Sequence, residues 1–161
     1  MTTFEFNVCV EELADKVYRF ILKNIKDKDD ARDIVQEAYA RMWEKVKGIS
    51  FSKAKSYLFA TAYHIMIDQI RKNRQKDDFE SGHEELMTIQ NDFVDLKEIL
   101  EDGLARLSDV QRSVLLLRDY EGYSYGEIAA ITGLNDSQVK VYIYRARIFL
   151  KNYIVSMENV I

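Results

Sequence analysis

Ser124-Tyr-Gly-Glu-Ile-Ala-Ala-Ile-Thr-Gly-Leu-Asn-Asp-Ser-Gln-Val-Lys-Val-Tyr-Ile-Tyr-Arg-Ala-Arg147 is the stretch that decides the fold. Ser124, three residues before Glu127, makes a capping-box pattern, in which each side chain bonds the other's backbone N–H and a helix begins. Ile128 and Ile131 are the apolar positions of that short helix, and Ala129 is small enough to let a second helix cross closely. Gly133 supplies a left-handed turn residue and Leu134 plugs the corner. Asn135 or Asp136 caps a longer helix in which Val139, Ile143, Ala146 and Leu150 form an inward stripe. Two helices joined at such a corner form a helix-turn-helix, which places the N-terminal part of its second helix in the DNA major groove. That part carries Ser137, Gln138, Lys140, Val141 and Tyr144, and a glutamine can read adenine's edge at two points. Arg145, Arg147 and Lys151 follow, with no acid between Asp136 and Glu158, which suits phosphate contacts.

Upstream, the same periodicity continues. Phe93, Leu96, Ile99, Leu100, Leu104 and Leu107 mark one helix, and Ser108 with Gln111 opens the next, through about Tyr120. In the N-terminal half, Leu13, Val17, Phe20 and Ile21 define a first amphipathic helix. Ile34, Val35, Ala38, Tyr39, Met42, Trp43 and Val46 define a second, with Tyr39 and Trp43 expected in the core. A third runs from about Ser52 to Arg74, with Leu58, Ala62, Ile65 and Ile70 inward, and finishes in the basic run Arg71 to Lys76. The 161 residues contain no proline and six glycines, so little interrupts these helices. The expectation is an all-α chain of two small helical domains, a three- or four-helix bundle and a helix-turn-helix domain.

The net charge of −4 conceals an uneven distribution. Asp77 to Asp102 holds ten acids and one base, Lys97, a net of −9, which leaves +5 for the remainder. Because Asp77 to Asn91 is also weakly periodic and contains Ser81-Gly82-His83, it reads as a flexible acidic linker. The expected organisation is therefore residues 1–76, a linker at 77–91, and residues 92–161.

Glu121 to Arg147, together with Leu107-Ser-Asp-Val-Gln-Arg-Ser-Val-Leu-Leu-Leu-Arg118, resembles region four of sigma factors. Asp30-Ala-Arg-Asp-Ile-Val-Gln-Glu-Ala-Tyr-Ala-Arg-Met-Trp-Glu44 resembles the polymerase-binding helix of region two, and Ala54 to Arg74 its promoter-melting segment. The chain is thus similar, over about Glu11 to Tyr153, to the extracytoplasmic-function (ECF) type of RNA polymerase sigma factor, which lacks the intermediate domain of larger members.

The resemblance implies a protein that binds core RNA polymerase and directs initiation at promoters by reading minus-35 and minus-10 elements. Its partners would be the polymerase, promoter DNA and, as in many relatives, an anti-sigma factor at the membrane. Asp33, Gln36, Glu37 and Arg41 lie at helical offsets and form a polar ledge, which the resemblance assigns to the polymerase clamp. Lys53, Lys55, Ser56, Tyr57, Tyr63, His64 and Arg71 interleave aromatic and basic groups and are assigned to the minus-10 element. Ser137, Gln138, Lys140, Val141, Tyr144, Arg145 and Arg147 are assigned to the minus-35 element. The sequence departs from the family at Tyr57, where Trp is usual, at Tyr63-His64, where Arg-Asn is usual, and at Val141-Tyr142, where Ser-Arg is common.

Other classes have less support. There is no Gly-rich phosphate loop, no Ser/His/Asp arrangement, no metal-ligand spacing and no cofactor motif, so neither an enzyme nor a metalloprotein is expected. Cys9 reads as a small buried hydrophobe. With no membrane-length apolar run and no signal-peptide pattern, a soluble cytoplasmic chain without small-molecule substrate is expected. A helix-turn-helix regulator acting without polymerase is the alternative.

Overall fold

Thr2 accepts the Glu5 N–H while Glu5 bonds the Thr2 N–H, and this capping box starts α1 (Thr3–Ile25). The computed structural model describes residues 1–80 and 95–158. α1 ends at Lys26, held in the left-handed region at φ 59°, and Asp27 then caps α2 (Lys28–Glu44). Two 3-10 turns, Val46–Gly48 and Phe51–Lys53, lead into α3 (Ala54–Glu80). α1, α2 and α3 all pack on one another, around a core that holds Val17, Phe20, Ile21, Ile34, Met42, Leu58 and Phe59, all essentially without exposure. Burial of each such side chain contributes about 1.5–3 kcal/mol relative to leaving it in water.

The second unit contains α4 (Leu96–Arg106), α5 (Asp109–Leu115), a π-helical turn Leu116–Tyr120, α6 (Tyr125–Thr132) and α7 (Asp136–Glu158). α7 is the spine: α4, α5 and α6 all pack against its Val139, Ile143, Ala146 and Leu150 stripe. At Gly103 the approach of α4 to α7 is close enough that a Cβ would sit 2.9 Å from Leu150 Cδ2. Ser124 and Glu127 exchange both bonds of their capping box. The tie between Asn135 and Asp136 is settled for Asn135, whose Oδ1 accepts the Gln138 N–H at 2.8 Å while Gln138 Oε1 accepts the Asn135 N–H.

Gly133 closes the α6 corner at φ 81°, with open space where a Cβ would be. The cost of Gly133→Ala is therefore backbone strain alone, about 1–2 kcal/mol. A lower midpoint of thermal unfolding with unchanged helical circular dichroism is expected; an unchanged or raised midpoint would contradict the corner's role.

Three expectations need correcting. α3 continues as helix to Glu80, past the expected start of the linker at Asp77; the rest of that segment, His83 and Phe93 lie outside the described residues. Leu96, at the first position of α4, is 58% exposed, because the inward face begins at Ile99. Trp43 is 47% exposed and not a core residue, since Met42 beside it takes the inward position. Cys9 is buried as expected.

Candidate functional site

The polar ledge forms as the helical offsets require. Asp33, Gln36, Glu37 and Arg41 are all exposed on one side of α2, opposite Ile34, Ala38 and Met42. Arg41 pairs with Glu37 at 2.6 Å, a surface bridge worth about 0–1 kcal/mol, so little energy holds the two together.

The α3 set is divided by the fold. Lys53 and Tyr57 line an open groove of about 1130 Å³ together with Trp43, Lys45, Lys47 and Ser50. Trp43 rests on Phe6, with ring centroids 4.9 Å apart, and keeps nearly half its surface free. The Met1 amino group braces the same loop by donating to the Val46 and Ile49 carbonyls. An exposed indole beside lysines has the chemistry to stack on an unpaired base. His64 and Arg71 are exposed farther along α3, and Ser56 is half-buried. Tyr63 is not on this surface: it is 4% exposed, its ring edge-on to His64, and burial pushes its hydroxyl above the ordinary value.

On α7, Ser137, Gln138, Lys140, Val141, Tyr144, Arg145 and Arg147 are all exposed, opposite the inward stripe. A shallow hollow of about 320 Å³ is lined by Ser137, Gln138, Val141 and Arg145. Lys140 lies over the Tyr125 ring, 5.6 Å from its centre, and two others of the seven are hydrogen-bonded within the protein. Gln138 serves the helix cap, which leaves its Nε2 as the free donor, and Arg147 is held by Asp119 through bonds of 2.6 and 3.2 Å.

The two helical units are packed together, α6 against α3 and α5 against α1. Phe59 of α3 stacks edge-on to Tyr123, centroids 5.2 Å apart, and Lys55 lies 4.7 Å from the centre of the same ring. Arg19 forks onto Glu121, Arg74 reaches Asp109 at 2.6 Å, and buried Asn24 accepts from Arg112 and Ser113. Part of the α3 surface is consequently covered by the second unit, while the α2 ledge and the outer face of α7 stay open.

Residues 9–76 match the family described as Sigma-70 region 2, and residues 97–150 match Sigma-70, region 4. The ECF RNA polymerase sigma factor SigM of Bacillus subtilis is 31% identical over 140 residues, covering 84% of this chain and 86% of the relative. The chain belongs to the ECF sigma factors of the sigma-70 family. SigL of Mycobacterium tuberculosis, also an ECF sigma factor, is 31% identical over 84% of this chain and 81% of its own. The fold is that of RpoE from Bartonella quintana, solved with the anti-sigma factor NepR, at a TM-score of 0.76, 24% identity, 92% coverage of this chain and 95% of that one. CnrH, solved with the cytosolic domain of CnrY, gives 0.69 at 20% identity, with 94% and 88% covered. Two sigma regions in one chain set aside the stand-alone regulator.

In this sigma factor, sequence reasoning missed the groove residues Trp43, Lys45 and Lys47. The signal available was a tryptophan followed by alternating lysines just before a glycine. It also missed Asn24, Arg112 and Ser113, which meet across about ninety residues of chain and left no local pattern. Tyr123 carries a further mark: its hydroxyl is buried with no partner among the described residues, and burial pushes it above the ordinary tyrosine value. An orphaned buried hydroxyl costs about 1–3 kcal/mol. Tyr123→Phe is expected to raise stability by about 1 kcal/mol in urea unfolding; a loss of stability would mean that the hydroxyl does have a partner.

Proposed function

We propose that this sigma factor binds core RNA polymerase through Asp33, Gln36, Glu37 and Arg41 and places α3 and α7 on the minus-10 and minus-35 elements. The carboxylates and amide of the ledge accept hydrogen bonds from basic groups of the polymerase, contacts about twice as strong as neutral ones. Tethering both DNA-binding units on one enzyme raises their effective concentration, so two weakly basic surfaces suffice. Lys53, Tyr57, His64 and Arg71, with Lys45, Lys47 and Trp43 in the groove, capture unstacked bases at minus-10. Lys55, Ser56 and Tyr63 join them once the second unit leaves α3. At minus-35, Ser137, Lys140, Val141, Tyr144 and Arg145 meet the major groove, Val141 as an apolar contact for a thymine methyl. Gln138 adds its free amide, and Arg147 reaches a phosphate on release from Asp119.

Sigma factors are regulatory and non-catalytic, and the chain acts in the cytoplasm, where its polymerase is. Among the described residues no helix is long and apolar enough to cross a membrane. An anti-sigma factor is the proposed inhibitor, by extension from the partners of RpoE and CnrH.

The observation that carries the reading is the presence, in one chain, of an open carboxylate-amide ledge beside an aromatic-lysine groove and a separate helix-turn-helix face. Transcription from a randomised promoter library with core polymerase tests it. Enrichment of two separated sequence blocks is expected; enrichment of one block, or none, would overturn the two-element reading.

A further inference from the structure

A second cleft lies away from the ledge and both DNA faces, at the junction of the two units. It measures about 640 Å³ and takes Lys23 and Arg19 from α1, Lys26 from the turn after it, Lys28 from the start of α2, and Lys97 from α4. Arg19 is neutralised by Glu121 at 2.9 Å. The four lysines make no ion pair among the described residues, and Glu101 is the one carboxylate on the lining.

Lys97 belongs to the second unit and the other lysines to the first, so docking sets Lys97 beside them, together with Glu101 of the same unit. Burial, and then the Arg19 charge on the same helix, push the Lys23 ammonium below the ordinary lysine value, against the pull of Glu121 and Glu101. Its Nζ lies 3.5 Å from the centre of the Tyr120 ring, which spreads the charge without cancelling it. The rest of the wall is apolar, formed by Leu22, Leu100 and Leu104 beside Tyr120. Multiple cations facing an apolar wall, in a volume within the roughly 300–1,000 Å³ of small-ligand sites, describe one ligand chemistry.

We propose that this cleft binds a small organic oligophosphate, of the nucleoside di- or triphosphate class, and that the ligand clamps the two units in their closed arrangement. The phosphates take the lysines, and the organic part lies on the leucines and Tyr120. Because Lys97 meets the other lysines only when the units are docked, the ligand binds the closed form and shifts the population toward it. By linkage, anything that opens the units weakens the ligand.

Titration calorimetry on the intact chain at low salt, with ATP, inorganic tripolyphosphate and a short polyglutamate peptide as separate probes, tests the site independently of polymerase. ATP is expected to bind, and to bind more tightly than tripolyphosphate. Lys97→Gln should weaken ATP about tenfold, the loss of one charge-assisted contact. Lys16→Gln, which removes the same charge from an exposed position on α1 outside the cleft, should leave ATP binding unchanged. Both are surface changes, and circular dichroism checks that the helices persist. ATP should also re-compact an Asn24→Ala variant, seen as a smaller radius of gyration in X-ray scattering. No binding of ATP at millimolar concentration, equal weakening by the two lysine changes, equal affinity for tripolyphosphate, or preference for polyglutamate would each overturn the proposal.

Discussion

Asn24→Ala is expected to undock the second helical unit from the first. Asn24 is 7% exposed, and its Oδ1 accepts from Arg112 Nε at 3.2 Å and from the Ser113 hydroxyl at 3.1 Å, while its Nδ2 donates to the Phe20 carbonyl. Arg112 is itself buried, with Nη1 donating to the Leu104 and Leu107 carbonyls and Nη2 to Asp109. Alanine would strand one guanidinium N–H and one hydroxyl at the junction. At about 1–3 kcal/mol for each of the two stranded groups, the docked form loses about 2–6 kcal/mol, and separation of the units restores water to both. X-ray scattering should show a larger radius of gyration, and unfolding should split toward two transitions. An unchanged radius with a single transition would show that the Phe59–Tyr123 contact and the Arg19–Glu121 bridge suffice without Asn24.

Phe59→Ala is expected to have the largest effect on stability. Phe59 has no exposure, and its ring lies between Phe20 of α1, 5.8 Å away, and Tyr123, 5.2 Å away. Truncating a buried phenylalanine costs about 3–5 kcal/mol in lost burial and residual cavity. The aromatic pairs contribute about 0.5–1.5 kcal/mol each as part of that loss. Against a total stability of about 5–15 kcal/mol, this is a large fraction. Unlike Asn24→Ala, it damages the bundle as well as the junction, so both the urea midpoint and the compactness should fall together. A loss below about 1 kcal/mol would mean the cavity refills by repacking.

The helices were legible because their signals are local. The Ser124–Glu127 box, the Gly133 corner and the α7 stripe are patterns over four to twelve residues, and each took the conformation its chemistry demands. The start of α1 is written just as plainly in Thr2 and Glu5, well ahead of the stripe from Leu13 that predicts the helix. The ledge followed from spacing alone, since a buried stripe on one side of α2 leaves Asp33, Gln36, Glu37 and Arg41 on the other.

The junction was not legible, for a physical reason. On α3, Tyr63 and His64 are adjacent in sequence, yet one is buried and one exposed, and α3 receives α6, whose contacts come from more than fifty residues farther along the chain. Trp43 failed in the opposite sense: it falls near the apolar stripe of α2, but Met42 takes the inward place and Phe6 props the indole outward. Arg112 could be read as a surface arginine until Asn24 arrived beside it.

Capture of core RNA polymerase from the source organism, comparing the intact chain with a Gln36→Ala/Glu37→Ala double variant, addresses the central claim most directly. Both side chains are exposed, and the Glu37–Arg41 surface bridge contributes little to stability, so the variant should fold as the intact chain does. The intact chain is expected to bind core polymerase, and the double variant to bind at least about tenfold more weakly, because it can no longer make charge-assisted hydrogen bonds to the clamp. Failure of the intact chain to bind, or equal binding by both proteins, would contradict the account.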